Sequence, residues 1–214
     1  AELFSEDEVV HIGSAICDAL AYLHNRKPPI VHRDIKPGNI KITATGQIHL
    51  VDFGLAKMAQ PGQATTTGAQ ALTPGYASPE QYGQGTDARS DIYSLGATLY
   101  AALTNKVPED ALARAMGTAH LTPLQQNNSA VSDRLATVIE KAMNPVPAER
   151  YQSAEEFKQA LINSNSLARR KATTVQKPSD GYAQTPPVAQ TLPATNKKKT
   201  QPLPILLGIL AVIA

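Results

Sequence analysis

"VHRDIKPGNI", Val31 to Ile40, and "HLVDFGLAK", His49 to Lys57, are the stretches on which the reading of this chain turns. Asp34, Lys36 and Asn39 fall within six positions, and a second aspartate, Asp52, follows downstream. Asp34, Asn39 and Asp52 carry oxygens that take up protons or bind hard cations, and Lys36 sets a positive charge among them. This set of side chains suits the handling of phosphate. Taken singly, His-Arg-Asp is a solvated loop and Asp-Phe-Gly a turn, so their weight comes from order and spacing along the rest of the chain.

Outward from these stretches, "IKIT" and "QIHLVDF" are short β-prone runs separated by Ala44, Thr45 and Gly46, which predicts a small hairpin flanked by the phosphate-handling residues. Upstream, Val9, Val10, Ile12, Ile16, Leu20 and Leu23 recur at three and four positions. This predicts an amphipathic helix from Glu6 to Asn25, opened by a capping box of Ser5 and Glu8. Residues 57–79 are rich in Thr, Gly, Gln, Ala and Pro without periodicity, as a functional loop would be. Helical patterns return over 88–104, 109–116, 131–143 and 154–162, so the body ends as a helical bundle.

Composition divides the chain. Residues 1–162 carry 13 Lys and Arg against 17 Asp and Glu, whereas residues 163–214 carry 7 against 1. A mildly acidic body with a basic tail points to an anionic surface and away from a nucleic-acid partner. The stretch 163–202 is Thr, Pro, Gln, Ala and Lys with few bulky apolar side chains, the composition of a disordered linker. Lys197, Lys198 and Lys199 then precede the apolar run "LPILLGILAVIA", Leu203 to Ala214. Its 12 residues make about 18 Å of helix, against a hydrocarbon core of about 30 Å, so it reads as the start of a transmembrane helix. The lysines would hold the body on the cytoplasmic side of a cell membrane in a single-pass arrangement. With no signal-peptide pattern at Ala1 and an uncapped apolar run at the other end, both ends read as cuts in a longer protein. The single cysteine, Cys17, excludes an internal disulfide and reads as a small buried apolar side chain in a reducing compartment.

The ordered motifs "HRDIKPGN" at 32–39, "DFG" at 52–54, "TPGYASPE" at 73–80, "DIYSLG" at 91–96 and Arg150 in "NPVPAER" resemble the C-terminal lobe of a bacterial membrane-anchored Ser/Thr protein kinase over residues 1–162. The resemblance implies an α+β, protein-kinase-like fold: a mainly helical lobe with a small β-hairpin. It implies ATP and Mg²⁺ as cofactors and proteins bearing Ser or Thr hydroxyls as substrates. Asp34 would be the base that accepts the hydroxyl proton, and Asn39 and Asp52 would hold the metal and, with Lys36, the nucleotide phosphates. Lys36 and Thr73 match positions that in this family favour Ser and Thr acceptors, Thr73 bonding both Asp34 and Lys36.

Other matched positions imply support and control. His32, Phe53, Gly54, Glu80, Asp91 and Arg150 would be structural, with Glu80 and Arg150 a buried ion pair and Asp91 the anchor of the loop around Asp34. Arg33 would receive a phosphate placed on Thr65, Thr66 or Thr67, a charge able to order the loop. A dimer that phosphorylates itself in trans is compatible with that arrangement. Ile35 and Ser78 depart mildly from the usual Leu and Ala. No glycine-rich loop, strand lysine or helix glutamate precedes His32, so the N-terminal lobe is expected outside this chain. A kinase-like binding module without catalysis is the competing reading, and a kinase of small-molecule hydroxyls a weaker one.

Overall fold

The computed structural model describes residues 3–54, 57–58, 72–83 and 85–174. Helix α1 (Glu6–His24) begins where expected: Glu8 donates its backbone N–H to Ser5 Oγ at 3.3 Å, and the Ser5 N–H reaches Glu8 Oε2 at 2.8 Å. Glu6, Asp7 and Glu8 set negative charge on the N-terminal end of the helix dipole. The apolar stripe of Val9, Ile12, Ile16, Cys17 and Leu20 is buried, and burial pushes the Cys17 thiol up to about 12, away from reactivity.

The stripe of α1 packs on α2 (Ala88–Thr104) and on α6 (Ala154–Thr174). At the crossing, a Cβ on Gly13 would come within 2.9 Å of both Leu99 Cδ1 and Leu161 Cδ1, so the close approach needs glycine there. Helix α2 is the axis of the lobe: Ile92, Tyr93, Leu95, Leu99, Tyr100 and Leu103 are buried all round it, which is why its sequence is apolar on more than one face. It is capped by Asp87 and closes at Asn105, a left-handed residue with φ 53°. Two short helices, α3 (Ala111–Ala115) and α4 (Leu124–Asn127), lead to α5 (Asp133–Ala142), which packs on α2 and α6.

On the other side of α1 lie two short antiparallel ribbons. Strand β1 (Ile30–Val31) pairs with β4 (Lys57–Met58), while β2 (Ile40–Ile42) pairs with β3 (Ile48–Leu50) in the register Ile40 with Leu50, Lys41 with His49 and Ile42 with Ile48. Ile40, Ile48 and Leu50 join the core, and Lys41 and His49 share the exposed face. The whole is a helical lobe carrying a small hairpin on one flank.

Three features differ from the sequence reading. The pairing of β1 with β4 and the helix α4 had no sequence signal, since two-residue strands and one-turn helices are too short for periodicity to show. The pattern over 109–116 yields a helix only from Ala111, because Asp110 caps it with its side chain on Ala113 N at 3.0 Å. Helix α6 continues to Thr174, so residues 163–174, expected in a disordered linker, are helical. Extending a nucleated helix adds one bond per residue, and Leu167, Ala168, Arg169, Arg170, Lys171 and Ala172 are good helix formers. The rest of the linker, the run Leu203–Ala214 and the three threonines Thr65, Thr66 and Thr67 lie outside the described residues. Among the described residues no helix is long and apolar enough to cross a membrane.

Candidate active site

The site grows from Asp91, a fully buried carboxylate in the first turn of α2. Its Oδ2 accepts the His32 N–H at 2.9 Å and its Oδ1 the Arg33 N–H at 2.8 Å, while His24 Nε2 lies 2.8 Å from Oδ2. Gln81 Nε2 donates to the Arg33 carbonyl at 2.8 Å. Both backbone groups of Arg33 are therefore tied down, and they hold it at φ 71°, a left-handed conformation that costs a residue with a Cβ about 1–2 kcal/mol. The strained turn sets the direction of the next side chain, Asp34.

Asp34 meets three partners. Its Oδ1 accepts Thr73 Oγ1 at 3.1 Å, its Oδ2 lies 3.0 Å from Lys36 Nζ, and Asn39 Nδ2 donates to its Oδ2 at 2.9 Å and to its carbonyl at 2.8 Å. Lys36 Nζ in turn donates to Thr73 Oγ1 at 3.1 Å. Asp34, Lys36 and Thr73 thus close a triangle across 39 residues of sequence, with Lys36 31% and Asp34 11% exposed at the side chain. The chemistry available there is proton acceptance beside a fixed positive charge.

The short helical turn Pro37–Asn39 enters the hairpin, and the Val51 N–H donates to the Asn39 carbonyl at 2.9 Å as the chain leaves it. The hairpin therefore returns Asp52 to the neighbourhood of Asn39. Asp52 is the second left-handed residue of the site, at φ 64°, and its Oδ1 accepts the Gly54 N–H at 3.2 Å. Because Asn39 turns its amide nitrogen to Asp34, its amide oxygen faces away from that residue. Asn39 Oδ1 and the Asp52 carboxylate are hard oxygen donors of the kind that Mg²⁺ takes, so the residues present fit such an ion. Among the described residues no group of three or more His, Cys, Asp or Glu side chains could hold a metal ion.

Several residues expected to be structural make contacts around the Asp34 loop. Glu80 and Arg150 form a two-pronged ion pair, Nη1 to Oε1 at 2.7 Å and Nη2 to Oε2 at 2.9 Å. Burial pushes the Glu80 carboxyl up, but Arg150 and Ser90, whose Oγ donates at 2.8 Å, outweigh it and hold it below the ordinary range. Arg150 also donates to the carbonyls of Asn144, Pro145 and Arg89. His32 is buried, and desolvation lowers its pKa against the opposing pull of Asp91 and Asp34. Burial likewise disfavours the Arg33 charge, Asp91 again opposing. Phe53 is 48% exposed and meets the His32 ring edge-on, with 4.8 Å between ring centroids. His24, Gln81 and Ser90 were not singled out from the sequence; each is joined to its partner by the fold, and no local pattern announces such contacts.

The match to known proteins follows this geometry. Residues 1–175 match the family described as "Protein kinase domain". The chain belongs to the protein kinase family. It is 37% identical over 166 residues to the serine/threonine-protein kinase PknB of Mycobacterium leprae, covering 74% of this chain and 26% of that protein. It is 35% identical over 205 residues to the serine/threonine-protein kinase Pkn1 of Myxococcus xanthus, covering 89% and 29%. Among solved structures, the PknI kinase domain of Mycobacterium tuberculosis superposes with a TM-score of 0.57 at 28% identity, over 76% of this chain and 57% of that one. The chain thus spans 26–29% of the length of these two curated relatives.

Proposed function

We propose that the protein to which this chain belongs is a Ser/Thr protein kinase, transferring the γ-phosphoryl group of ATP to hydroxyls of protein substrates. The observation that carries the proposal is the closed triangle of Asp34, Lys36 and Thr73 beside Asn39. Asp34 orients the incoming hydroxyl and accepts its proton, which requires the hydrogen-bond reach that its position at the lobe surface allows. Lys36 neutralises charge on the moving phosphoryl group, and Thr73 locks both side chains in place. Asn39 and Asp52 would hold Mg²⁺, which would supply positive charge to offset that of the nucleotide phosphates. Phosphoryl transfer depends mostly on such positioning, which is what the anchored, left-handed backbone at Arg33 provides.

The same reading extends to control and location. A phosphate on Thr65, Thr66 or Thr67 docks on Arg33, the residue before Asp34. Self-phosphorylation in trans would bring two copies together. Lys197–Lys199 and the apolar run after them anchor the protein in a cell membrane with this lobe on the cytoplasmic side. Recovery of the intact protein in the membrane pellet supports the anchor, and a detergent-independent soluble product would remove it.

The test of the activity uses the intact protein. Asp34→Asn abolishes transfer to a protein substrate while Mg-ATP affinity stays near that of the unaltered protein, because Asp34 touches the acceptor; Asp52→Asn weakens metal-dependent nucleotide binding. An Asp34→Asn variant that keeps most of its turnover rules the proposal out in favour of a binding module.

A further inference from the structure

Residues Pro79–Tyr82 form a single turn of 3₁₀ helix, and with three residues per turn its successive side chains leave on three different sides. Glu80 goes to Arg150 and Ser90. Tyr82 donates its hydroxyl to Asp110 Oδ2 at 3.0 Å, while Asp110 Oδ1 caps α3. Gln81, between them, is 1% exposed and goes to the Asp34 loop. Its Oε1 accepts the Ser78 N–H at 2.9 Å and the Ser78 hydroxyl at 3.2 Å, and its Nε2 donates to the Arg33 carbonyl at 2.8 Å. An amide with two donors at one end and a carbonyl at the other is satisfied in one orientation only. Ser78, where the resemblance expects alanine, supplies one of those donors, so this departure adds to the bias of the amide towards Arg33.

Two links therefore join the segment 72–83 to the loop of Asp34. One is the contact of Thr73 with Asp34 and Lys36, partly exposed and made through groups for which an incoming hydroxyl competes. The other, at Gln81, is buried. We propose that Gln81 is a positioning residue for phosphoryl transfer, acting through the Arg33 carbonyl: it keeps the Asp34 loop in register with the Thr73 segment while a substrate hydroxyl displaces contacts within the triangle. The effect on turnover rests on the kinase reading, whereas the effect on the backbone does not. The Arg33 carbonyl lies in the same planar peptide unit as the Asp34 N–H, so its direction sets the plane from which the Asp34 side chain leaves. Asp91 holds the other side of Arg33, at its N–H. Without Gln81 the residue at φ 71° is held from that side with less support against its own preference.

Gln81→Met in the intact protein keeps the length of the side chain and removes both ends of the link. The expected outcome is faster hydrogen exchange at the Arg33 amide with the Leu20 amide of α1 unchanged, a kcat lowered on the order of tenfold and an unchanged KM for Mg-ATP. A folded variant with unchanged exchange at Arg33, or with turnover within about twofold of the unaltered protein, overturns the proposal. So does one in which the KM for Mg-ATP rises and exchange quickens through α1 as well, since that is a loss of packing. Should the variant fail to fold, the unaltered protein decides: side-chain amide protons of Gln81 that exchange slowly support the link, and protons that exchange at the rate of an exposed amide overturn it. If the unaltered protein transfers no phosphoryl group, the kinase reading falls, while faster exchange at Arg33 in Gln81→Met keeps the backbone role of Gln81.

Discussion

Glu80 and Asp34 are two carboxylates, each within 3.0 Å of a cation, in opposite surroundings. Glu80 faces a fully buried Arg150, and the guanidinium adds three backbone carbonyls to its two bonds with the carboxylate. Asp34 faces a Lys36 that is one-third exposed, and its carboxylate takes one bond each from an ammonium, a hydroxyl and an amide. The first arrangement is closed to any newcomer and rigid. The second has contacts that a substrate hydroxyl can exchange into without unfolding anything. Charge and distance are similar, and the difference in burial and in the number of bonds separates a closed pair from an open one.

The largest effect that breaks this comparison is at the closed pair. Arg150→Met removes one partner and strands the Glu80 carboxylate in a buried site, which costs about 3–5 kcal/mol. Chemical denaturation of the lobe should show this as a fall in midpoint. Glu80→Gln with Arg150→Met together should recover much of the loss, because no charge is then left unpaired. A single Arg150→Met variant within about 1 kcal/mol of the parent would mean the pair is not the anchor that its geometry suggests.

Between the two carboxylates lies Gly75, at φ 81° in the segment that carries Thr73 to Glu80. A Cβ there would overlap Val107 Cγ1 and stand 3.0 Å from the Pro108 carbonyl. Gly75→Ala should destabilise by about 3 kcal/mol, combining overpacking with a left-handed backbone that disfavours a side chain. Adding Val107→Ala should return part of this, since Val107 is 56% exposed and contributes little itself. The remainder measures the φ strain and the approach to Pro108. Full recovery in the double variant would show that side-chain overlap alone matters.

At the open pair, stability and activity should part company. Thr73→Val keeps shape and removes the hydroxyl that bonds both Lys36 and Asp34, whose direct 3.0 Å contact survives. Stability should change by less than about 0.5 kcal/mol, whereas turnover in the intact protein should fall on the order of tenfold, and Thr73→Ser should restore it. Equal losses of stability and turnover would erase the distinction drawn between the two carboxylates.

Much of this was legible in the sequence because the motifs are short and their residues act close to where they sit. The triangle's members Asp34 and Lys36 lie two positions apart, and the hairpin announced by "IKIT" and "QIHLVDF" sets Asn39 near Asp52 with no help from distant packing. The helices α1 and α2 showed through periodicity, and the start of α1 through its cap at Ser5. What was not legible depends on contacts that only the fold creates. His24 reaches Asp91 across 67 residues, and Gln81 reaches Arg33 across 48, from positions with no pattern of their own. The end of α6 was misplaced for a different reason: composition reports whether a segment can build a core, not whether a helix already nucleated by Phe157 and Leu161 can run on.

The smallest expected effect concerns pH and separates the buried groups from each other. His32 is buried, and desolvation lowers its pKa from the ordinary 6.5. Above pH 6.5 the ring is neutral in both folded and unfolded chains, so it contributes no pH dependence. As pH falls below 6.5 the unfolded chain takes up a proton that the folded chain refuses, and stability declines until the lower folded pKa is reached. The slope attributable to one proton is at most about 1.4 kcal/mol per pH unit. Glu80 has the same sign in a lower window: its carboxyl is held below the ordinary 4.5, so the stability it confers is complete above pH 4.5 and is lost as pH falls through the folded value. Subtracting the denaturation curve of His32→Gln from that of the parent between pH 7.5 and 5 isolates the first window. A difference that stays flat there would show that the folded lobe protonates His32 as readily as the unfolded chain does, and that the ring is not held neutral against Phe53.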